Sequence, residues 1–322
     1  MSEVKISIII AFYNAEKFMQ GCLECLKNQT IKDIEIIFVN DGSTDRGADI
    51  ITEASKNLEN IVIINKKNSG QGDSRNVGLK NARGEYIYFL DADDFIAVNA
   101  LEVAYLDAIK YNADMVVFDS VNIKEGVENQ IDFEHISPEQ MLGGIYTKRS
   151  IPPGQVIAGR QFVIESLNTP ESFFATVWLA LYKKSLILDN SILFEKIIYE
   201  DNIFSMDTGL AAKSIVYRPE ILHFRRLVPS SIMHQKKMEK HVIGAIRVME
   251  HAAEIFDREA AVRETKMAFH RWSLICAGNS FRDILLSDKS VRKKYKWEYI
   301  HFLLRDLKKY NIKLLIKAIV KL

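Results

Sequence analysis

Three carboxylates lie within four residues at Asp91-Ala92-Asp93-Asp94, directly after an apolar run that predicts a buried strand. Like charges so close repel one another unless a cation or strong hydrogen-bond donors lie between them. Mg²⁺ and Mn²⁺ prefer oxygen ligands and usually bind few carboxylates, with water and substrate phosphates at the remaining positions. The spacing therefore predicts a divalent-metal site on Asp91 and Asp93. A solvated acidic turn that caps the next helix is the alternative interpretation.

Two further segments have residues that can hold a charged ligand. Asp41 follows an apolar run and precedes a Gly-Ser-Thr turn, so its carboxylate can accept hydrogen bonds from a ligand or can cap the turn. The segment from Asn68 to Gly78 contains glycines and leads into a predicted helix with Arg75 in its first turn. Backbone amides, a helix amino terminus and an arginine can together bind phosphate. The segment lacks the Gly-Lys-Ser/Thr of a P-loop and the third glycine of a dinucleotide-binding fingerprint, which disfavours both classes.

The elements that must position these residues alternate between strand and helix over the first 120 residues. Apolar, β-branched runs predict strands at Lys5 to Ala11, Ile34 to Val39, Ile61 to Ile64, Tyr86 to Leu90 and Asp114 to Phe118. Amphipathic stretches predict helices at Glu16 to Asn28, Arg46 to Leu58, Gly72 to Ala82 and Val98 to Tyr111. Because the strands are almost wholly apolar, we expect a parallel sheet buried on both faces, with ligands at the carboxyl ends of its strands.

The pattern changes after residue 120. Gly and Pro pairs predict loops and short helices from Val121 to Thr169, and a helix is expected at about Ser172 to Lys184. Pro219 separates two short strand-like runs. After about Gln235 the chain is predicted to be helical and basic to its end, which places a domain boundary there.

The composition is that of a globular chain with a sizeable core, since 48% of its 322 residues are hydrophobic and 26% are charged. The net charge is +1, but the segment from Arg292 to Leu322 carries ten Lys and Arg residues against Glu298 and Asp306. This basic segment has no nucleic-acid-binding motif, so no nucleic-acid partner is expected. The chain has no apolar run long enough to span a bilayer, and its amino terminus lacks the long apolar region of a signal peptide. A cytoplasmic location is therefore expected.

Four motifs in a fixed order together resemble glycosyltransferase family 2. They are Ile9-Ile10-Ala11-Phe12-Tyr13-Asn14, Val39-Asn40-Asp41-Gly42-Ser43-Thr44-Asp45, Asn68-Ser69-Gly70 with Ser74-Arg75-Asn76-Val77-Gly78, and Gly84-Glu85-Tyr86-Ile87-Tyr88-Phe89-Leu90-Asp91-Ala92-Asp93-Asp94. The resemblance is strong from Lys5 to Asp119 and moderate around Glu200-Asp201. It implies an α/β GT-A fold with a Rossmann-like, mostly parallel sheet and a helical C-terminal extension. It also implies inverting transfer from a nucleotide-sugar donor, usually a UDP-sugar, as in enzymes of bacterial capsule, lipopolysaccharide and exopolysaccharide synthesis.

The resemblance also implies a donor site, carried over residue by residue. Asp41 would hydrogen-bond the uracil ring, and Arg75 would lie near the nucleotide diphosphate. The main chain of three consecutive residues would flank the base: Ala11, Phe12 and Tyr13. Two departures are visible: Ala11 stands where many members have proline, and Asp73 stands where a small apolar residue is common in the family. An extra carboxylate beside the phosphate site weakens the assignment of Arg75.

The same resemblance also implies which residues bind the metal and which residue is the general base. Asp91 and Asp93 match the family's acidic pair, which binds Mn²⁺ or Mg²⁺, with Asp93 the more direct ligand. Asp91 and Ala92 would lie nearer the ribose or donor sugar. Glu200-Asp201 resembles a second acidic pair in which the aspartate is the general base that takes the proton from the acceptor hydroxyl. A helix start with Asp201 as its cap is the alternative.

Contacts to the acceptor or to phosphate are expected from Trp178, Glu200 and Arg225. Trp178 can provide an apolar platform for a sugar ring, although a large aromatic residue is more often part of a core. Arg225 lies in a segment that resembles one near the phosphates in polysaccharide-assembly members, while surface charge is an equally good account of it. The expected acceptor is a saccharide or a lipid-linked saccharide.

The C-terminal segment predicts an amphipathic helix, with Ile300, Leu303, Leu304 and Leu307 at helical spacing. Such a helix can bind an anionic membrane surface, or it can pack on its own domain or on a partner chain. A peripheral location on the inner face of the cytoplasmic membrane is the interpretation we favour.

The predicted organisation is a catalytic domain over residues 1–235 and a helical, basic region over residues 236–322. Within the first, residues 1–120 would bind the nucleotide sugar and residues 121–235 the acceptor.

Two other classes of protein compete with a glycosyltransferase. A Mg²⁺-dependent phosphotransferase of the haloacid-dehalogenase type would need a Thr after its acidic pair, and none follows Asp93. A non-catalytic subunit that binds nucleotide sugar would keep the fold without turnover. The second class is less consistent with the sequence, because the metal-site carboxylates and the candidate base Asp201 are all present.

Overall fold

The structure is a computed structural model of the chain, and it describes residues 4–56, 58–123, 141–145, 149, 151–169, 175–227, 236–259, 263–305 and 320–321. The chain divides into two compact units. The first, called the sheet unit here, comprises Met1–Lys196 and Phe204–Val228. The second, called the helical unit, comprises Ile197–Ile203 and Pro229–Leu322. The functional division expected at residue 235 stays a prediction.

Ten strands of the described residues form one sheet in the sheet unit. They are β1 (Ile6–Phe12), β2 (Ile34–Asn40), β3 (Ile61–Asn65), β4 (Tyr86–Phe89), β5 (Phe95–Ile96), β6 (Met115–Ile123), β7 (Met141–Ile145), β8 (Val156–Ile157), β9 (Ala180–Lys183) and β10 (Ile215–Arg226). Every residue of β1 and β2 is buried, as expected for strands covered on both faces.

The strand order is β3-β2-β1-β4-β9-β6-β10-β5, with β7 paired to β6 and β8 paired to β10. β1 is parallel to β2 and β4, β2 is parallel to β3, and β6 is parallel to β10. β9 runs antiparallel between β4 and β6. Six strands, β1 to β4, β6 and β10, therefore point the same way. The predicted mostly parallel α/β sheet is confirmed in this sense.

Seven helices accompany the strands up to residue 211 within the described residues. They are α1 (Glu16–Lys27), α2 (Gly47–Ser55), α3 (Gln71–Asn81), α4 (Ala100–Lys110), α5 (Gly159–Asn168), α6 (Lys184–Asp189) and α7 (Glu200–Ala211). Helix α3 approaches β1 closely, since a Cβ atom at Gly78 would lie only 2.4 Å from Cγ2 of Ile9. A side chain at Gly78 would push α3, and with it Arg75, away from the sheet.

Two predictions beyond residue 170 differ from the structure. The described part of the helix expected at about Ser172 to Lys184 is a 3₁₀ turn (Val177–Leu179) followed by β9. A central strand that is buried on both faces has no polar alternation, so its apolar run cannot be told from a buried helix by periodicity. The two runs around Pro219 are one strand, β10, with register shifts between Arg218 and His223. Because Arg218 pairs with Phe118 and Ile221 with Asp119, Pro219 has no partner in the ladder at this irregularity.

The helical unit contains three long helices, α8 (Glu239–Glu259), α9 (Arg263–Leu286) and α10 (Lys289–Arg305), which confirm the predicted helical extension. Hydroxyl groups tie them together: Ser280 Oγ donates to the Ala245 carbonyl at 2.7 Å, and Tyr299 Oη donates to the Ala277 carbonyl at 2.8 Å. Among the described residues, these and the other helices are all too short or too polar to cross a membrane.

Candidate functional site

The carboxyl ends of four parallel strands meet at one edge of the sheet. Register places Phe12 beside Asn40, and Asn40 beside Asn65, at the ends of β1, β2 and β3. Ile9 of β1 pairs with Phe89 at the end of β4. The loops that follow these strands therefore begin side by side, and such an edge is where ligands bind in open α/β sheets.

The loop after β1 leaves one large side chain open to solvent. Ala11 and Phe12 are buried, whereas Tyr13 is 53% exposed. The loop is tied to the one after β2, because the Asn14 N–H donates to Ser43 Oγ at 3.0 Å and the Thr44 N–H donates to Asn14 Oδ1 at 2.8 Å. Ala11 and Phe12 can thus offer a ligand only their main chain, while Tyr13 can also offer its ring.

Asp41 holds the loop that leads into α3. Its Oδ1 accepts the Ser69 N–H at 2.9 Å and the Lys66 ammonium at 2.5 Å, and its Oδ2 accepts the Gly70 N–H at 2.9 Å. Gly70 has a φ of 97°, in a region that glycine occupies without strain. Asp41 therefore fixes the peptide groups directly before the amino terminus of α3 rather than capping its own turn. Its predicted contact with uracil stays a prediction.

The extra carboxylate of Asp73 is paired with lysines. Its Oδ1 lies 2.7 Å from Lys196 Nζ and its Oδ2 lies 3.2 Å from Lys66 Nζ, and it accepts a hydrogen bond from Ser69. The hydrogen bond from Lys196, then that from Ser69, hold the pKa of Asp73 at about 2. Its charge is balanced locally, so it competes less with phosphate for Arg75 than the sequence suggests.

Arg75 points at the three carboxylates of Asp91, Asp93 and Asp94 after β4, which are called the acidic tip here. Its Nη2 donates to Asp91 Oδ1 at 2.8 Å, and Gln71 Nε2 donates to the same oxygen at 2.9 Å. The guanidinium is almost fully buried and lies over the ring of Phe194, with 5.3 Å between Cζ and the ring centroid. A positive charge is thus fixed beside Asp91, as the predicted phosphate site requires.

The three carboxylates of the acidic tip have different surroundings. Asp94 is buried, and its Oδ1 accepts the Arg226 N–H of β10 at 2.9 Å. Asp91 and Asp93 remain partly exposed. Burial, followed by the charges of Asp94 and Asp91, raises the pKa of Asp93 to about 7. A cation at Asp91 and Asp93 would relieve this repulsion, so the residues fit a divalent metal.

Protein ligands alone do not complete such a metal site. Throughout the described ranges, no group of three or more His, Cys, Asp or Glu side chains is placed to hold a metal ion. Mg²⁺ and Mn²⁺ commonly bind through one or two carboxylates together with substrate phosphates and water. The arrangement of Asp91, Asp93 and Arg75 is therefore of the kind that binds a metal with a phosphorylated ligand.

Trp178 and His223 form a stack behind the acidic tip that the sequence did not reveal. Their rings are 4.1 Å apart with an interplanar angle of 13°, and both residues are buried. His223 Nε2 lies 3.4 Å from Asp94 Oδ2, and Nδ1 lies 3.0 Å from Ser120 Oγ. Burial lowers the pKa of His223 to about 3, so the imidazole is neutral at pH 7. Core packing thus describes Trp178 in this structure, and a contact between its ring and a sugar stays a prediction.

The two arginines at the end of β10 differ in environment. The Arg226 guanidinium lies between the rings of Phe18 and Phe95, with Cζ 4.9 and 4.7 Å from their centroids, and the residue is buried. Arg225 is partly exposed. Arg225 is thus the more exposed of the pair, and its contact with the acceptor or with phosphate stays a prediction.

Glu200 and Asp201 belong to the helical unit and begin α7. Glu200 is buried and Asp201 is partly exposed. Carboxylates are favourable at a helix amino terminus, where backbone N–H groups carry partial positive charge. This position suits a cap as well as a general base, so the role of Asp201 stays a prediction.

Curated relatives of the chain include several glycosyltransferases. Glycosyltransferase GlyA of Streptococcus pneumoniae is 27% identical over 91% of this chain, which spans 40% of the length of GlyA. The cholesterol galactosyltransferase of Borreliella burgdorferi is 27% identical over 93% of this chain and 82% of its own length. Because the chain spans less than half of GlyA, that likeness concerns a part of the larger protein.

Solved structures share the fold and the sequence matches one family. TarS of S. aureus in complex with UDP superposes with a TM-score of 0.68 at 20% identity, covering 98% of this chain and 87% of that chain. The mannosyltransferase PcManGT of Pyrobaculum calidifontis, in complex with GDP-Man and Mn²⁺, gives a TM-score of 0.56 at 15% identity, covering 98% and 86%. The sequence model of glycosyl transferase family 2 matches residues 7–186, more than half of the chain. The chain therefore belongs to glycosyltransferase family 2 and has the GT-A fold of that family.

Proposed function

We propose that this chain is an inverting glycosyltransferase that moves a sugar from a UDP-sugar to a saccharide hydroxyl in the synthesis of a surface polysaccharide. The observation that carries the proposal is the pairing of Arg75 with Asp91 at the acidic tip, next to the partly exposed Asp93. Relatives support the class of substrate: a poly(ribitol-phosphate) beta-glucosyltransferase of Bacillus spizizenii is 33% identical over 66% of this chain and 30% of its own length. A structure of TarS contains UDP-GlcNAc.

The donor would lie along the edge formed by the loops after β1, β2 and β4. Tyr13 and the main chain of Ala11 and Phe12 would flank the uracil, and Asp41 would accept its N–H. The loop that Asp41 fixes ends at the amino terminus of α3, where N–H groups favour phosphate. Arg75 would bind the diphosphate, and Asp91 with Ala92 would contact the ribose or the sugar.

Asp91 and Asp93 would hold Mn²⁺ or Mg²⁺, which when bound neutralises charge on the leaving diphosphate. The chain's own cation, Arg75, contributes to the same stabilisation from a buried and fixed position. Because the leaving group is stabilised on one face of the sugar, the acceptor attacks from the other, and a single displacement inverts the anomeric carbon. This mechanism requires no covalent nucleophile.

Asp201 would take the proton from the acceptor hydroxyl as that oxygen attacks. A positioned general base typically contributes about 10²–10⁴-fold to the rate. Glu200, Arg225 and Trp178 would line the acceptor or the phosphates.

The decisive experiment measures Mn²⁺-dependent release of UDP from a panel of UDP-sugars by the full chain. The proposal expects turnover that Asp93→Ala and Asp201→Asn each lower by at least about 100-fold. Asp33→Asn is the matched control, because Asp33 lies directly before β2, at the amino-terminal ends of the strands, where its carboxylate is 2.8 Å from Lys5 Nζ. Binding of UDP without turnover of any donor would instead identify a non-catalytic nucleotide-sugar-binding subunit.

We also propose that the protein is peripheral on the cytoplasmic membrane, where a lipid-linked acceptor would be found. Two apolar residues predicted for lipid contact, Ile300 and Leu303, are buried in the helical unit, so α10 packs on its own unit with that face. The helix also exposes Lys289, Lys293 and Trp297, with Trp297 67% exposed. Leu307 lies outside the described residues. Basic residues around an exposed tryptophan suit an anionic membrane surface.

Sedimentation with anionic lipid vesicles tests the membrane proposal. Lys289→Glu with Lys293→Glu should abolish co-sedimentation and leave UDP release unchanged. Lys27→Glu with Lys80→Glu makes the same change of charge at exposed positions of the sheet unit and should have little effect. Equal sedimentation of both double variants would contradict a membrane contact through α10.

A further inference from the structure

The residue before the candidate base has an unusual backbone conformation. Tyr199 has a φ of 74°, in the left-handed region that a bulky side chain rarely occupies. Strained conformations of this kind persist only where surrounding contacts enforce them, and they concentrate at functional sites. The Tyr199 carbonyl accepts the Asn202 N–H at 3.1 Å, so this residue also shapes the first turn of α7.

Side chains of the helical unit hold Tyr199 at its hydroxyl. Tyr199 Oη donates to Asp283 Oδ2 of α9 at 2.7 Å and accepts a hydrogen bond from Lys237 Nζ at 2.8 Å. Asp283 is 1% exposed and Lys237 is 8% exposed. Lys237 Nζ lies 3.9 Å from Asp283 Oδ1, so the two charges compensate each other around the phenol. A buried, charge-assisted pair of hydrogen bonds fixes an aromatic ring strongly.

The backbone before Tyr199 is fixed independently. A Cβ atom at Gly244 of α8 would lie 2.1 Å from the Ile198 carbonyl oxygen, so α8 and this peptide approach as closely as glycine permits. The ring of Tyr199 also lies 6.4 Å from that of His241 on α8. Contacts with α8 and α9 thus determine the path of the chain immediately before Glu200 and Asp201.

We propose that Tyr199 is a positioning residue for Asp201, and that the Tyr199–Asp283–Lys237 cluster is the means by which the helical unit orients the general base. This inference rests on the proposed role of Asp201 in sugar transfer. It gives the C-terminal helices a part in the reaction: a rotation of the first turn of α7 would turn the carboxylate away from the acceptor hydroxyl. A misplacement of about 1 Å can reduce the rate roughly 100-fold.

The test uses Tyr199→Phe in the full chain, which removes the hydroxyl and keeps the ring. We expect kcat for UDP release to fall about 10- to 100-fold, while the KM for the UDP-sugar and the Kd for UDP change less than about twofold. Tyr299→Phe is the matched control, since it removes another buried hydroxyl from the helical unit, one that donates to the Ala277 carbonyl. It should shift the Tm similarly and leave kcat unchanged. Asp283→Asn removes the negative charge from the side chain that accepts the hydrogen bond of the Tyr199 hydroxyl. It should lower kcat in the same way.

Combination with Asp201→Asn separates this inference from the proposed function. If Tyr199 acts through Asp201, the double variant Tyr199→Phe/Asp201→Asn has the same residual rate as Asp201→Asn alone. A further loss in the double variant, or a kcat for Tyr199→Phe and Asp283→Asn equal to that of Tyr299→Phe, would overturn the positioning role and leave the base assignment intact. Wild-type activity in Asp201→Asn would remove the base assignment itself.

Discussion

Two acidic segments carry the proposed chemistry, and they are held in different ways. The segment Asp91-Ala92-Asp93-Asp94 follows β4, whose register with β1 fixes where it begins. The segment Glu200-Asp201 follows Tyr199, whose backbone is strained and whose hydroxyl is held by Asp283 and Lys237. The first is placed by a buried sheet edge, and the second by side-chain contacts within a helical unit. Variants should therefore affect the two in distinguishable ways.

The largest effect is expected at the second segment. Asp201→Asn keeps the shape of the side chain but removes the proton acceptor, so kcat should fall by about 10²–10⁴-fold. Binding of Mn²⁺ and UDP should remain unchanged, because those ligands are assigned to the first segment. Steady-state kinetics and calorimetric titration check both parts. Weakened binding of Mn²⁺ in this variant would show that the two segments do not act separately.

Two variants of Arg75 distinguish the contribution of its charge from that of its packing at the first segment. Arg75→Gln leaves Asp91 beside Asp93 and Asp94 without this positive partner. Because the Asp91 side chain is 27% exposed, the loss of stability should be smaller than for a fully buried ion pair. We expect a lower Tm and a fall in kcat/KM of roughly 100-fold. Arg75→Lys keeps the charge and should retain more activity and stability than Arg75→Gln. Identical values for the two variants would argue against an electrostatic role.

Asp41 tests whether the loop before α3 matters for the donor. Asp41→Asn keeps one carbonyl oxygen, which can accept from Ser69 N–H and Lys66 Nζ, as Oδ1 does, or from Gly70 N–H, as Oδ2 does, but not from all three. The Kd for UDP should rise about tenfold, equivalent to about 1.4 kcal/mol. The kcat at saturating donor should change little. An unchanged Kd would contradict the assignment of Asp41 to the nucleotide site.

Replacement of Asp73 by Asn should have the smallest effect of these variants. The effect is expected on thermal stability rather than on turnover. The pKa of Asp73 is lowered to about 2 in the folded protein from an ordinary 3.8, so its ionised form stabilises the fold. The contribution is present above about pH 4 and is lost as the pH falls through 2. The difference in Tm between wild type and Asp73→Asn should therefore shrink from pH 6 to pH 3. A constant difference would mean that the lysine contacts of Asp73 do not depend on its charge.

The parts predictable from sequence were those with local signals. β1 to β4 were predicted within a residue of their bounds, because each is an apolar run between polar turns. The acidic tip and Arg75 carry motifs at fixed spacing, and the structure places Arg75 against Asp91. By contrast, β9 was predicted as helix because a strand buried on both faces has no alternation.

Contacts between residues that are distant in the sequence could not be predicted from it. The stack of Trp178 on His223 behind Asp94 joins residues from three separate elements, and no spacing indicates that they meet. The lysines that balance Asp73 are 7 residues before it and 123 residues after it, at positions 66 and 196. The left-handed backbone of Tyr199 is likewise set by tertiary contacts, since the residue type itself disfavours it.

A crystal of the full chain soaked with Mn²⁺ and UDP tests the central claim most directly. The account predicts an anomalous Mn²⁺ peak at Asp91 and Asp93, with the diphosphate of UDP beside that ion and Arg75. Nucleotide bound elsewhere, with no manganese at those two carboxylates, would contradict the account.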